Sequence, residues 1–186
     1  PQWEARHRLI PRRVQSGADI ARLGDDATCL LPIDQDTGEL LTIRILRKAT
    51  SPEVIAGMQM IDQDFPQNEW HVDDTGHRGY ISDSAPRTMK FVCHQFAREK
   101  EKWVNILKIL LETKRLKIPD PKRCAWMTKA EKDGFELLIA ELLSYVKVIN
   151  PVTQRVDYRH PNGMHDDTVD GLMMGSMDIA TSLPGK

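Results

Sequence analysis

The chain has 186 residues, of which 40% are hydrophobic and 28% charged, and its formal net charge is −1. That length suits one domain with a single sizeable core, and that composition excludes a disordered or collagen-like chain. No apolar run approaches the roughly 20 residues that span a bilayer, so no membrane partner is expected. The opening Pro1-Gln2-Trp3-Glu4 has no signal-peptide pattern and reads as the start of a fragment cut from a longer chain. Cys29, Cys93 and Cys124 lie far apart with no CxxC pair. This argues against a disulfide framework and a thiolate zinc site, and each reads as a buried, reduced core thiol of an intracellular protein.

Charge is unevenly placed. Residues 98 to 123 hold nine Lys or Arg against four acids, whereas Asp25-Asp26, Asp73-Asp74 and Asp166-Asp167 form short acidic clusters. Such a pattern suits an enzyme that holds phosphate on a basic flank and cations at its centre; a solvated helix face plus turn residues gives the same pattern.

In chain order, residues 1–13 are Arg-rich, contain two prolines and read as a linker or entry segment to a domain over 14–186. Val14 to Ala21 is extended, a turn follows at Leu23-Gly24-Asp25-Asp26, and Ala27 to Ile33 is an apolar strand. Asp36-Thr37-Gly38 turns the chain into a third strand, Leu40 to Leu46, completing an antiparallel meander. Ser51-Pro52-Glu53 opens a helix with Ser as its cap and a stripe of Val54, Ile55, Met58, Ile61 and Phe65. Strands are expected at Trp70 to Asp73 and Met89 to Cys93, and helices at 97–115 and 129–143. Trp103, Ile106, Leu107, Leu110 and Leu111 mark the apolar side of the first of these helices. Tyr145 to Ile149 and Arg155 to Tyr158 flank Asn150-Pro151 as a β-hairpin, and a last helix runs from Asp166 to about Thr181. A meander followed by alternating strands and helices implies an α/β fold, a mixed central sheet with helices on its faces.

The positions of the aspartates carry the functional reading. Asp19 and Asp73 each sit near the end of an apolar strand, an unfavourable place for a lone carboxylate. Asp166 and Asp167 begin a helix whose stripe of Val169, Leu172, Met173, Met177 and Ala180 must pack on something flat and apolar, for which the sheet is the natural choice. If the two strands are neighbours, Asp19, Asp73 and the helix-opening acids converge. Clustered carboxylates raise each other's pKa values unless cations lie between them. Hard oxygen ligands without Cys select Mg²⁺ or Mn²⁺, and two such ions about 4 Å apart serve phosphodiester cleavage. Each aspartate taken alone also reads as a turn former or a helix cap.

The same residues resemble a known family. Gly17-Ala18-Asp19-Ile20-Ala21 with Gly24-Asp25-Asp26-Ala27-Thr28, then Val72-Asp73-Asp74-Thr75-Gly76, then His165-Asp166-Asp167-Thr168-Val169-Asp170-Gly171-Leu172 are similar to the three acidic blocks of the viral terminase large-subunit nuclease. Lys102 to Pro119, ending Leu116-Lys117-Ile118-Pro119, resembles the segment between the second and third blocks. The resemblance runs from about residue 14 to 180. It implies a ribonuclease H-like fold and Mg²⁺- or Mn²⁺-dependent endonuclease action on double-stranded DNA during genome packaging in the host cell cytoplasm. It further implies an N-terminal ATPase domain in the same parent chain, with the terminase small subunit and portal as partners. No GxxxxGK[ST] phosphate loop occurs in this chain, consistent with a motor domain lying outside it. By position Asp19, Asp73 and Asp167 match the catalytic metal ligands, Asp26 matches an auxiliary acid, and Asp166 competes with Asp167. The last block of the family often ends Asp-Ala, whereas here Gly171 follows Asp170.

His165 beside the acids, His77 and Arg78 after Asp73, and Arg155 and Arg159 on the hairpin are further candidates for orienting water or holding phosphate. Capping, solvated loops and a solvated edge strand are their structural readings. A Holliday-junction resolvase or another ribonuclease H-like nuclease would use the same carboxylates. A non-enzymatic metal-binding module docked on a packaging motor is the reading from a different class.

Overall fold

A computed structural model describes residues 13–21, 27–73, 80–149, 156–159, 161 and 165–181. The expected entry segment falls almost wholly outside these, as do the turn at 23–26 and the loop at 74–79. The strands are β1 (Val14–Asp19), β2 (Ala27–Asp34), β3 (Glu39–Leu40), β4 (Arg44–Arg47), β5 (Asn68–Asp73), β6 (Phe91–His94), β7 (Val146–Ile149) and β8 (Val156–Arg159). The helices are α1 (Ser51–Asp64), α2 (Tyr80–Ser84), α3 (Phe96–Glu112), α4 (Lys129–Ser144) and α5 (Asp167–Thr181).

The central sheet runs β3-β2-β1-β5-β6, with β4 also paired to β2. β2 is antiparallel to its neighbours, whereas β1, β5 and β6 run parallel. This is the α/β mixed sheet expected from the meander and the strand-helix alternation. β7 and β8 form a separate antiparallel hairpin before α5.

Several details depart from the sequence reading. The expected strand 40–46 is split in two. Ile33 pairs with Leu40 and Leu30 with Arg44, so three steps along β2 face four on its partner. The extra residue lies opposite Pro32, which accepts from the Leu41 N–H at 2.9 Å but has no N–H to return, and such a position favours a bulge. The cap of α1 is Thr50, not Ser51; its N–H and hydroxyl both donate to Glu53, at 2.7 and 2.8 Å. The short α2 has too few apolar repeats to be read from periodicity. Finally, Cys93 is exposed and Cys124 half-buried; only Cys29 is a fully buried thiol.

Helices cover both faces of the sheet. On one face Val54, Met58 and Ile61 of α1 pack on Val14, Ala18, Leu30, Trp70 and Val72. On the other, Val169, Leu172 and Met173 of α5 pack on Cys29, Leu31 and Ile33, and α3 and α4 close around them with Trp103, Leu107, Leu110, Phe135 and Leu138. The expected stripe of α3 is only partly inward, because Leu111 stays exposed near the helix end.

The fit of α5 on β1 depends on missing side chains. A Cβ on Gly17 would lie 1.8 Å from the Gly171 carbonyl oxygen and 2.5 Å from the Gly175 nitrogen. Backbone therefore meets backbone, and α5 lies close enough to the sheet to bring its N-terminus to the end of β1. Gln15 donates to Asp178 at 2.6 Å, and Gln35 donates to the Gly175 carbonyl at 3.1 Å, fixing the far end of the helix.

Candidate metal centre

Register decides which acids meet. β1 and β5 are parallel neighbours with Ala18 opposite Val72, so the next step along each strand sets Asp19 beside Asp73. Both residues share the α5 face, because Ala18 and Val72 belong to the α1 core. The α5 N-terminus supplies Asp166, Asp167 and Asp170 to the same place. Asp19 is partly buried, and its carboxyl is pushed well above the usual range, first by burial and then by the charges of Asp170, Asp167, Asp166 and Asp73.

The surrounding backbone anchors individual acids. Asp73 accepts from the Phe96 N–H at the start of α3 at 3.2 Å, and Asp167 accepts from the Ala27 N–H at the start of β2 at 3.2 Å. One turn into α3, Lys100 donates to Asp166 and to Asp170, both at 3.0 Å. Asp170 is nonetheless pushed up to about 7, mainly by burial, with Asp166 and Asp167 adding to the shift and Lys100 opposing it.

Glu141 on α4 is buried and accepts from the Thr168 N–H at 3.1 Å and from the Thr168 hydroxyl. It thus satisfies a donor of the first α5 turn beside Asp167. A cavity of about 220 Å³ opens there, lined by Ala27, Cys29, Arg47, Glu141, His165 and Asp167 among others. His165 is exposed at this cavity, a position open to solvent and to the acids alike. Below the site His71 and His94 stack at 5.0 Å with 2.9 Å between their ring nitrogens, and Trp103 packs edge-on against His94. Burial lowers the pKa of both histidines and so disfavours their charged forms.

Asp19, Asp73, Asp166 and Asp167 of the sequence-derived set therefore come together. Asp26, His77, Arg78 and Arg155 lie outside the described residues; Arg159 lies on β8, but its side chain is not among those described. Sequence reasoning missed Lys100 and Glu141 and gave Asp170 no role of its own. Lys100 is one of several cations on an amphipathic helix and carried no distinguishing signal. Glu141 did carry one: it follows Phe135 and Leu138 at helical spacing and so is an acid on an apolar stripe.

The donor set is chemically suited to a hard divalent cation. It is all carboxylate, and the one nearby thiol, Cys29, is pushed up by burial and by Asp19 and remains protonated. Asp170 Oδ1 is buried without a hydrogen-bond partner. Among the described residues no group of three or more His, Cys, Asp or Glu side chains is drawn tightly enough together to hold an ion. The acids form an electrostatically coupled group, not a closed cage.

A mixed sheet with a meander, parallel strands and a C-terminal helix laid across it is the ribonuclease H-like α/β fold, here with acids at the strand ends. Among solved structures, the chain shares its fold with the large terminase nuclease from thermophilic phage G20c with bound magnesium, at TM-score 0.71 and 18% identity over 88% of this chain and 80% of that one. The large terminase nuclease domain of Thermus phage P74-26 matches at TM-score 0.71 and 17% identity, over 89% and 79%. A variant nuclease domain of the large terminase subunit of bacterial virus Sf6, with manganese, matches at TM-score 0.61 and 13% identity, over 99% and 97%. No protein-family model matches the sequence, and no curated protein does.

Proposed function

We propose that this chain is the nuclease domain of a viral DNA-packaging terminase large subunit, a divalent-metal-dependent endonuclease that cuts double-stranded DNA with little sequence preference. The observation that supports this most is the convergence of Asp19, Asp73 and the α5 acids at the ends of parallel strands, in a fold shared with terminase nucleases solved with magnesium and manganese. In this reading Asp19, Asp73 and Asp167 hold two Mg²⁺ or Mn²⁺ ions, with Asp26 and Asp166 as auxiliary acids. When bound, such ions lower the pKa of an attacking water and stabilise the leaving oxygen of the phosphodiester.

The chain's own residues do the rest. The Phe96 and Ala27 N–H groups orient Asp73 and Asp167, and Glu141 holds the first turn of α5 so that Asp167 keeps its place. His165 and Arg47 line the cavity beside Asp167 and are the proposed phosphate contacts there. Arg155 and Arg159 of the hairpin, with His77 and Arg78, are the proposed backbone contacts; such contacts position DNA without reading its sequence. The parent protein would carry an ATPase motor N-terminal to this domain, work with the small subunit and portal, and act in the host cytoplasm. Among the described residues no helix is long and apolar enough to cross a membrane.

Incubating plasmid DNA with the domain in Mn²⁺, Mg²⁺ or EDTA tests the reading. Nicking and linearisation with either metal, none in EDTA, and no preferred site are expected. Folded protein that cleaves with neither metal contradicts an enzyme and favours the docking-module reading. Cleavage confined to four-way junctions favours a resolvase.

A further inference from the structure

Lys100 stands out because it is a cation already seated among the acids. Its Nζ lies 3.0 Å from Asp166 and 3.0 Å from Asp170, and its side chain is 23% exposed. The ammonium is flanked by the Phe96 ring at 5.5 Å and the Tyr145 ring at 5.8 Å, so its position is fixed by packing as well as by charge. Phe96, whose N–H anchors Asp73, is one turn before it on the same helix. Tyr145, the residue before β7, donates to the Tyr158 carbonyl in β8 at 3.4 Å. One side chain thus sits where α3, the α5 N-terminus and the root of the hairpin meet.

We propose that Lys100 is a built-in counter-cation that claims Asp166 and Asp170 and thereby assigns the divalent ion to Asp19, Asp73 and Asp167. The assignment rests on the nuclease reading, but the role of Lys100 is a matter of charge and position and is measurable without cleavage. Two adjacent acids, Asp166 and Asp167, open α5, and both are in range of Asp19. The ammonium bridge turns Asp166 toward Asp170, one helical turn on, while Asp167 is held by the Ala27 N–H. Without that bridge, five carboxylates would compete for the same ions and a cation could settle on the Asp166–Asp170 side, away from the strand-end acids. Lys100 is therefore a positioning residue: it acts through the acids and touches no reacting atom.

The test compares the parent chain with Lys100→Met, Lys100→Gln and Lys100→Arg. Mn²⁺ binding is followed by the paramagnetic resonance signal of the free ion, beside melts in EDTA and plasmid nicking at saturating Mn²⁺. Removing one positive charge from the cluster should tighten Mn²⁺ binding about fivefold or add a bound ion, while nicking falls about tenfold. Lys100→Arg, which keeps the charge and can span two carboxylates, should restore both toward the parent. Lys100→Gln serves in the titration should Lys100→Met fail to fold. Unchanged Mn²⁺ affinity and stoichiometry in either folded neutral variant overturns the proposal, even if its melting temperature drops, because a merely structural lysine would do only that. The expected shift in Mn²⁺ binding with no nicking by any chain, parent included, would leave Lys100's role standing and defeat the nuclease reading instead. Normal nicking by the neutral variants, with binding unchanged, would do the reverse.

Discussion

The two faces of the central sheet are built from the same strands and differ in what they tolerate. The α1 face is an apolar layer of Val54, Met58 and Ile61 on Ala18, Leu30, Trp70 and Val72. The α5 face begins the same way, with Leu172 on Leu31 and Ile33, but toward the strand ends it becomes a cluster of carboxylates around one lysine. The helices also approach differently. A Cβ on Gly57 of α1 would meet only side-chain tips, Leu46 Cδ1 at 3.1 Å and Leu30 Cδ1 at 3.4 Å, whereas one on Gly17 would collide with α5 backbone. One face supplies stability through interchangeable apolar contact, and the other holds a fixed geometry against the repulsion of its own charges.

The largest effect should come from the seam between β1 and α5. Gly17→Val places side-chain atoms inside the α5 backbone and should cost about 3 kcal/mol or more, with α5 and its acids displaced together. Denaturant unfolding measures it, and parent-like stability would mean that α5 does not sit as closely as described. On the opposite face Met58→Ala removes a fully buried side chain and should cost about 2–5 kcal/mol. Its metal-induced rise in melting temperature should nonetheless match the parent's, since α1 touches none of the acids; a lost metal response would break the separation of the faces.

The charged face should also show in pH dependence. Asp19 is raised and Asp170 is lifted to about 7, against 3.8 for each in the unfolded chain. A carboxyl raised by folding stabilises the fold while protonated, fully below about pH 4, and that stabilisation is lost as pH rises through about 7. His71 and His94, lowered by burial, act in the other direction: their contribution grows as pH rises toward the unfolded value of 6.5 and is fully present above it. The acid contribution is therefore read as a difference. In EDTA, Asp170→Asn should gain on the parent in melting temperature between about pH 5 and pH 8, and a constant gap across that range would contradict the assignment. The smallest effect is expected at Gly57→Ala. Better helix propensity offsets the tight contact with Leu46, for a net change within about 1 kcal/mol. A cost as large as that at Gly17 would erase the contrast between the faces.

Much of this contrast was legible in the residues themselves. Extended patterning placed β1 and β5, a continuous apolar run placed β2, helical spacing placed α1, α3, α4 and α5, and strand-end aspartates pointed to where the acids meet. The split between β3 and β4 was less visible, because it depends on which residue of the partner strand lies opposite Pro32. The close approach of α5 was hidden for a similar reason: Gly17, Gly171 and Gly175 are far apart in sequence and gain meaning only once β1 and α5 are in contact. Lys100 was the least legible, since it sits in a run of alternating charge, Arg98-Glu99-Lys100-Glu101-Lys102, with nothing in the sequence to set it apart. Glu141, an acid at an apolar position of its helix, does carry a signal in the sequence.

The central claim is that these carboxylates repel one another in the protein alone and are reconciled by a divalent cation. It is tested most directly by melting the parent and Asp19→Asn in EDTA and in excess Mn²⁺. Asn keeps the shape of Asp19 and removes its charge. In EDTA the variant should melt at the parent's temperature or above it, because one raised, partly buried carboxyl is gone. Excess Mn²⁺ should raise the parent's melting temperature through binding to the folded state, and raise the variant's much less. A variant that melts well below the parent in EDTA, with Mn²⁺ shifting both equally, would make Asp19 a structural residue and place any metal centre elsewhere.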